Sequence, residues 1–324
     1  MAKQAVWLSG LVTFEKAEEI LGTIGHIVMS DNSVWRRASR WGKRFQALEA
    51  AQRAHSMAGP TRDEIVLAQD QVPPVMGVAM DGAKVLIRKE GWKELKVGCV
   101  FKVELRPTPD KHTGEFIDLP HAVNNSYVAH LGGPELFGQL VWAEARQRNW
   151  MLARETEVVS DGAPWIWNLV GDYFYDSRQV VDWYHATEHL ANAAKLLKGE
   201  GTAEAVRWFK QQQRPLFEGH AQQIAANLLQ ATQDHPQVAD DLRREAGYFQ
   251  DNCRRMQYME VREEGFAIGS GMVESGCKQF RARFNGSGMQ WSRPSLERLL
   301  PVRAAIMGKR FDAMWQAAYN LPPN

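Results

Sequence analysis

The stretch Val75-Met-Gly-Val-Ala-Met-Asp81-Gly82-Ala-Lys-Val-Leu-Ile87 decides the fold class. It is rich in Val, Met and Ala, as a buried strand is, yet an aspartate followed by glycine stands at its centre. Downstream, Val97 to Leu105 alternates apolar and polar residues as an antiparallel strand does, so the two segments read as a hairpin or meander. Residues 134–147 carry Leu136, Phe137, Leu140, Val141 and Ala145 at helical spacing, and Glu157-Val-Val-Ser160 then reads as a short strand ending at Asp161. Pro164 opens a helix with Trp165, Ile166 and Leu169, and a strand is expected from Gln179 to Tyr184. This order of elements predicts an α/β (α+β mixed) chain, a mixed sheet with helices on its faces.

Upstream, residues 1–70 read as a helical region. Thr13 can cap a helix carrying Phe14, Ala17, Ile20 and Leu21, Gly25 interrupts it, and a second helix starts at Ser30. There Val34, Ala38, Trp41, Phe45 and Leu48 form an apolar stripe, while Arg36, Arg40, Lys43 and Arg44 gather on other faces. Two helices with the second one basic suggest a helix-turn-helix on DNA, and a solvated basic face on a packing helix is the plainer alternative. Pro60 and Gln71-Val-Pro-Pro74 mark the end of this region. From residue 186 to 264 no strand is expected and Ala, Gln, Leu, Lys and Arg favour helix. The glycine-rich Gly265 to Gly276 leads into a helix beginning near Val273, and Cys277 to Phe284 and Pro294 to Trp315 read as helical.

Composition bounds the function classes. The 324 residues, 44% hydrophobic and 24% charged, suit a globular chain large enough for two packed units. A formal net charge of only +1 requires any polyanion to be met by a local basic surface. Three widely spaced cysteines argue against a disulfide framework, and no window approaches the roughly 18 apolar residues of a membrane helix. A cytoplasmic protein with no membrane partner and no organic cofactor is expected.

Asp81 within one strand and Asp161 at the end of another are poor strand residues, each followed by Gly. Either they begin turns, or cations compensate their charge. Glu274, in Ile268-Gly-Ser-Gly-Met-Val-Glu-Ser-Gly276, is equally at home as an acid in the first turn of a helix. Three oxygen ligands of this kind suit Mg²⁺ or Mn²⁺.

The segments around these residues resemble the Kra-type insertion-sequence transposases of the DDE superfamily. They are Met80-Asp81-Gly82 with Glu90-Gly91-Trp92-Lys93-Glu94 and Lys96-Val97-Gly98; Ser160-Asp161-Gly162-Ala163-Pro164-Trp165-Ile166-Trp167; Asp182-Trp183-Tyr184-His185-Ala186-Thr187-Glu188-His189-Leu190; and Gly269-Ser270-Gly271-Met272-Val273-Glu274-Ser275. Gly288-Met289-Gln290-Trp291-Ser292 and Phe311-Asp312-Ala313-Met314-Trp315 complete the match, which runs in order along nearly the whole chain. The resemblance implies a ribonuclease H-like core in two parts, residues 71–185 and 265–324, interrupted by an all-helical insertion over 186–264. It implies a catalytic triad of Asp81, Asp161 and Glu274 holding two Mg²⁺ or Mn²⁺ ions, which cut transposon ends and transfer the strand to target DNA. Asp182 and His185, in an Asp-x-x-His motif, are implied to assist.

On that footing Lys278, Arg281, Arg283 and Arg293, with Arg36, Arg40 and Arg44, are expected at phosphates of double-stranded DNA, and the chain is expected to form a homo-oligomer there. Arg298 and Arg303 follow the same pattern. Trp165, Trp167, Trp183 and Trp291 are candidates for stacking on unpaired bases, with core packing expected for at least two. Two alternatives stand beside this: an inactive or truncated relative that only binds DNA, and a zinc peptidase built on His185-Ala-Thr-Glu188-His189.

Overall fold

The computed structural model describes residues 1–59, 75–109 and 116–322. The expected breaks at Pro60 and at residues 71–74 lie outside them. The strands are β1 (Val75–Ile87), β2 (Gly91–Pro109), β3 (Phe116–His130), β4 (Glu155–Ser160) and β5 (Arg178–Val181), in the order β3-β2-β1-β4-β5. β1 and β2 are antiparallel, and β4 and β5 are parallel, so the α/β class with a mixed sheet and flanking helices holds. The chain divides into two compact units.

The first unit comprises residues 1–102, 124–154 and 271–324. Its helices are α1 (Ala2–Leu11), α2 (Phe14–Thr23), α3 (Asp31–Met57), α4 (Pro134–Gln147), α11 (Gly271–Phe284), α12 (Arg293–Met307) and α13 (Phe311–Asn320). The Thr13 hydroxyl accepts the Lys16 N–H at 3.1 Å and that of Ser30 the Ser33 N–H at 3.3 Å, so both caps act as their residue types dictate. The 27-residue α3 is the spine of this unit, packing on α1, α2, α4, α12 and α13. Its stripe residues Phe45 and Leu48 share a core with Val6, Val302, Phe311 and Met314, and Trp41 stacks on Trp315 at 3.8 Å. A second cluster joins Ala5, Leu8, Ala17, Leu21 and Val34.

The second unit comprises residues 103–123 and 155–270. After β4, α5 (Pro164–Tyr173) buries Ile166, Leu169 and Val170 and returns the chain to β5. From Trp183 to Glu263 the five α-helices are α6 (Trp183–Lys198), α7 (Ala203–Phe217), α8 (Ala221–Ala231), α9 (Ala239–Asn252) and α10 (Tyr258–Glu263). α6 packs on α7 and α9, and α8 on α9, around the buried Leu190, Leu216, Ile224, Leu228, Leu242 and Phe249.

Three expectations need correction. β3 was not foreseen, because Pro120 and the positive φ of 53° at Asn124 break its pattern. β5 stops at Val181, not Tyr184, because the Asp182 side chain accepts the His185 N–H and starts a helix. The stretch from Pro294 to Trp315, read as helical, consists of two helices parted at Gly308 and Lys309, the latter with φ of 56°. Among the described residues no helix is long and apolar enough to cross a membrane.

Candidate active site

In the second unit, the parallel register pairs Ser160 with Val181, so the next residues, Asp161 and Asp182, stand at the carboxyl ends of neighbouring strands. Open α/β sheets bind their ligands at such strand ends. The Asp182 N–H donates to the Ser160 carbonyl at 2.8 Å and ties the two ends together. Asp161 accepts the Ala163 N–H at 2.9 Å, a turn that leads into Pro164 at the start of α5. Asp161 is half-buried, whereas Asp182 is fully buried.

The buried Asp182 carboxylate is fully engaged. One oxygen accepts the His185 N–H at 2.9 Å and lies 3.3 Å from its Nδ1, and the other accepts the Ser270 N–H. Burial favours the neutral acid, but the hydrogen bonds from His185 and Ser270 prevail and hold the group below the usual carboxylate range. In return, the hydrogen bond to Asp182 raises His185 to about 9 against the opposing effect of burial, with the charges of Asp182, Asp161 and Glu188 adding to the rise. His185 is therefore an imidazolium at neutral pH, with Nε2–H as its remaining donor.

The helical stretch contributes a second set that sequence reasoning missed. His189 Nδ1 lies 2.6 Å from a Glu245 carboxylate oxygen, and its ring stacks on Tyr248 at 3.5 Å and 17°. Tyr248 also covers Gly162, where a Cβ would lie 2.4 Å from its Cε2. Glu245 and Tyr248 share the inner face of α9 by their i, i+3 spacing, but nothing in a run of ordinary helix formers marks them. Among the described residues, no three His, Cys, Asp or Glu ligand atoms within 4.8 Å of one another include both His185 and His189.

In the first unit, α11 lies along β1 and brings Glu274 and Cys277, one turn apart, to the strand that carries Asp81. The Cys277 thiol hydrogen-bonds to Asp81. Burial first, then the charge and hydrogen bond of Asp81, then Glu274, push that thiol up and keep it protonated as the donor. Asp81 also accepts the Gly82 N–H at 2.6 Å. Gly276 allows the close approach of helix and sheet, since a Cβ there would lie 2.6 Å from the Tyr127 ring. The Tyr127 hydroxyl donates to the Met272 carbonyl at 3.1 Å and fixes the start of the same helix. Cys99 and Cys277 are buried as free thiols, and Cys253 is half-buried.

The expected DNA cations divide into two groups. Arg36, Arg40, Lys278 and Arg281 are exposed. Arg44 instead donates to the carbonyls of Ala318, Tyr319 and Leu321 at the end of α13. Arg293 pairs with Glu90 at 2.6 Å and with Glu297 at 3.4 Å. Arg283 is a correction: it is only 3% exposed, donates from two nitrogens to the Ser9 carbonyl, and lies against the rings of Phe14, Phe284 and Trp291. It compensates the carboxyl end of α1 and has no path to a phosphate. Arg303 is buried beside it and donates to Gly10 and Gln279. Of the four tryptophans, Trp183 packs edge-on to Phe217 and Tyr258, and Trp291 is buried with its indole N–H on the Phe284 carbonyl. Trp291 belongs to the interior and Trp183 is half-buried. Arg255 covers the Trp167 ring at 4.4 Å.

The donor sets fit a hard divalent cation. Asp81, Glu274 and Asp161 are partly exposed carboxylate oxygen donors, the kind that hard divalent cations take. Compared with protein-family models and with curated proteins, the chain matches none.

Proposed function

We propose that this chain is a DDE-type transposase, a metal-dependent enzyme that cuts phosphodiester bonds at the ends of a DNA element and joins the freed 3'-hydroxyl to target DNA. The observation that carries the reading is the pair of acidic residues, Asp161 and Asp182, at the carboxyl ends of neighbouring parallel strands with the cationic His185 beside them. The packing of Glu274 and Cys277 against the strand of Asp81 supports it, as does the resemblance of six segments, in order, to that family.

In this reading Asp81, Asp161 and Glu274 hold two Mg²⁺ or Mn²⁺ ions. When bound, these lower the pKa of the attacking water or 3'-hydroxyl and neutralise charge on the transferring phosphate. Asp182 holds His185 by Nδ1, which leaves Nε2–H to donate to a phosphate oxygen. Hydrolysis forms a bond from water oxygen to phosphorus, breaks the bond to the 3'-oxygen and leaves a 3'-hydroxyl. That hydroxyl then attacks a target phosphate in line, displacing the 3'-oxygen of the target strand. Lys278, Arg281, Arg36 and Arg40 contribute phosphate contacts, and the protein works in the cytoplasm as a homo-oligomer on DNA.

The test is incubation of the native chain with supercoiled plasmid. The reading expects nicking in Mg²⁺ or Mn²⁺ that EDTA stops. Stoichiometric Zn²⁺ in the purified protein together with peptide cleavage would overturn it in favour of a peptidase.

A further inference from the structure

The phenol of Tyr248 is a buried hydroxyl with no hydrogen-bond partner among the described residues. Buried hydroxyls are nearly always satisfied by protein, water or a bound group, so this one is open to an acceptor that arrives with a ligand. Burial first, then the charges of Asp161, Asp182, Glu245 and Glu188, push the phenol well above its ordinary range, so it stays protonated and can only be a donor when an anion is present. Its position is fixed on three sides. His189 stacks on one face, Glu245 orients that imidazole at 2.6 Å, and the ring edge rests on Gly162, the residue after Asp161.

Resting on the function proposed above, we infer that Tyr248 is a catalytic residue contributed by the helical segment, donating its phenolic hydrogen to a non-bridging oxygen of the DNA phosphodiester at Asp161. The carboxylates of Asp161, Asp182, Glu245 and Glu188 act on the phenol, so a phosphate placed there would need its charge compensated by the divalent cations of the proposed function. A neutral donor suits that place. It strengthens as negative charge grows on the phosphate oxygen and repels neither the cations nor the acids. His189 is a positioning residue that acts through the stacked ring.

The experiment compares the full native chain with Tyr248→Phe, which keeps the ring, and with Asp161→Ala. Three quantities are measured: Mn²⁺ binding by electron paramagnetic resonance, retention of duplex DNA in Ca²⁺, and plasmid nicking in Mn²⁺. Tyr248→Phe is expected to bind Mn²⁺ within twofold of native, to retain duplex several-fold more weakly and to nick at least tenfold more slowly. His189→Gln is expected to give part of the same defect without loss of Mn²⁺. Native nicking and retention in Tyr248→Phe overturn the role of Tyr248 and leave the proposed function standing. A native chain that neither binds Mn²⁺ nor nicks, or an Asp161→Ala variant that keeps both, overturns the function and this inference together.

Discussion

His185 Nδ1 lies 3.3 Å from the Asp182 carboxylate, and Asp182 also caps the helix on which His185 sits. One acid thus sets both the position and the charge of the histidine. Because the folded-state pKa of His185 is raised, to about 9, its contribution to stability is fully present below the unfolded value of about 6.5. That contribution is lost as pH rises through 9. A histidine proton titrating near 9 in NMR is therefore expected, falling towards 6.5 in Asp182→Asn. A native midpoint near 6.5 would break the argument. The melting temperature should also decline between pH 7 and 9.5 in the native chain more than in the variant.

Gly276→Ala is expected to destabilise the chain by about 1 to 3 kcal/mol, the usual range for overpacking, because the new Cβ meets the Tyr127 ring at 2.6 Å. Urea denaturation reads the effect. Since Glu274 and Cys277 flank the site of strain, the variant should also bind Mn²⁺ more weakly.

Arg283 and Lys278 stand on the same helix with opposite roles. Arg283→Ala leaves the Ser9 carbonyl unsatisfied and opens a void among three aromatic rings, at an expected cost of about 3 kcal/mol in chemical denaturation. Lys278→Ala should leave the unfolding midpoint unchanged and reduce the slope of log affinity for DNA against log salt by roughly 0.9. The reverse pattern would remove Lys278 from the DNA surface.

Arg44→Ala should cost about 1 to 2 kcal/mol by uncapping α13, with little change in the salt dependence of DNA binding. Differential scanning calorimetry and fluorescence anisotropy separate the two effects.

Most of the fold was legible where local chemistry and periodicity agree. Thr13, Ser30 and Pro164 mark helix starts because caps and N1 prolines act within one turn. Asp81 was legible as an anomaly, an acid in an otherwise buried strand. β3 was not, because its proline and paired asparagines obscure the alternation and its pairing is long-range. Arg283 was misread because its helix has basic residues on two faces, and only packing against α1 decides which face is buried. Tyr248 and Glu245 meet His189 from another helix, more than 50 residues away in the chain, a relation no local pattern carries.

The proposed function requires each of Asp81, Asp161 and Glu274 for metal-dependent cutting of DNA. An in vitro strand-transfer assay with element ends in Mg²⁺ or Mn²⁺, run on the native chain and on Asp81→Ala, Asp161→Ala and Glu274→Ala, tests it most directly. Joined product from the native chain and at least a thousandfold loss in each variant, with unfolding midpoints near native, is the predicted result. Full activity in any one of the three would contradict the account.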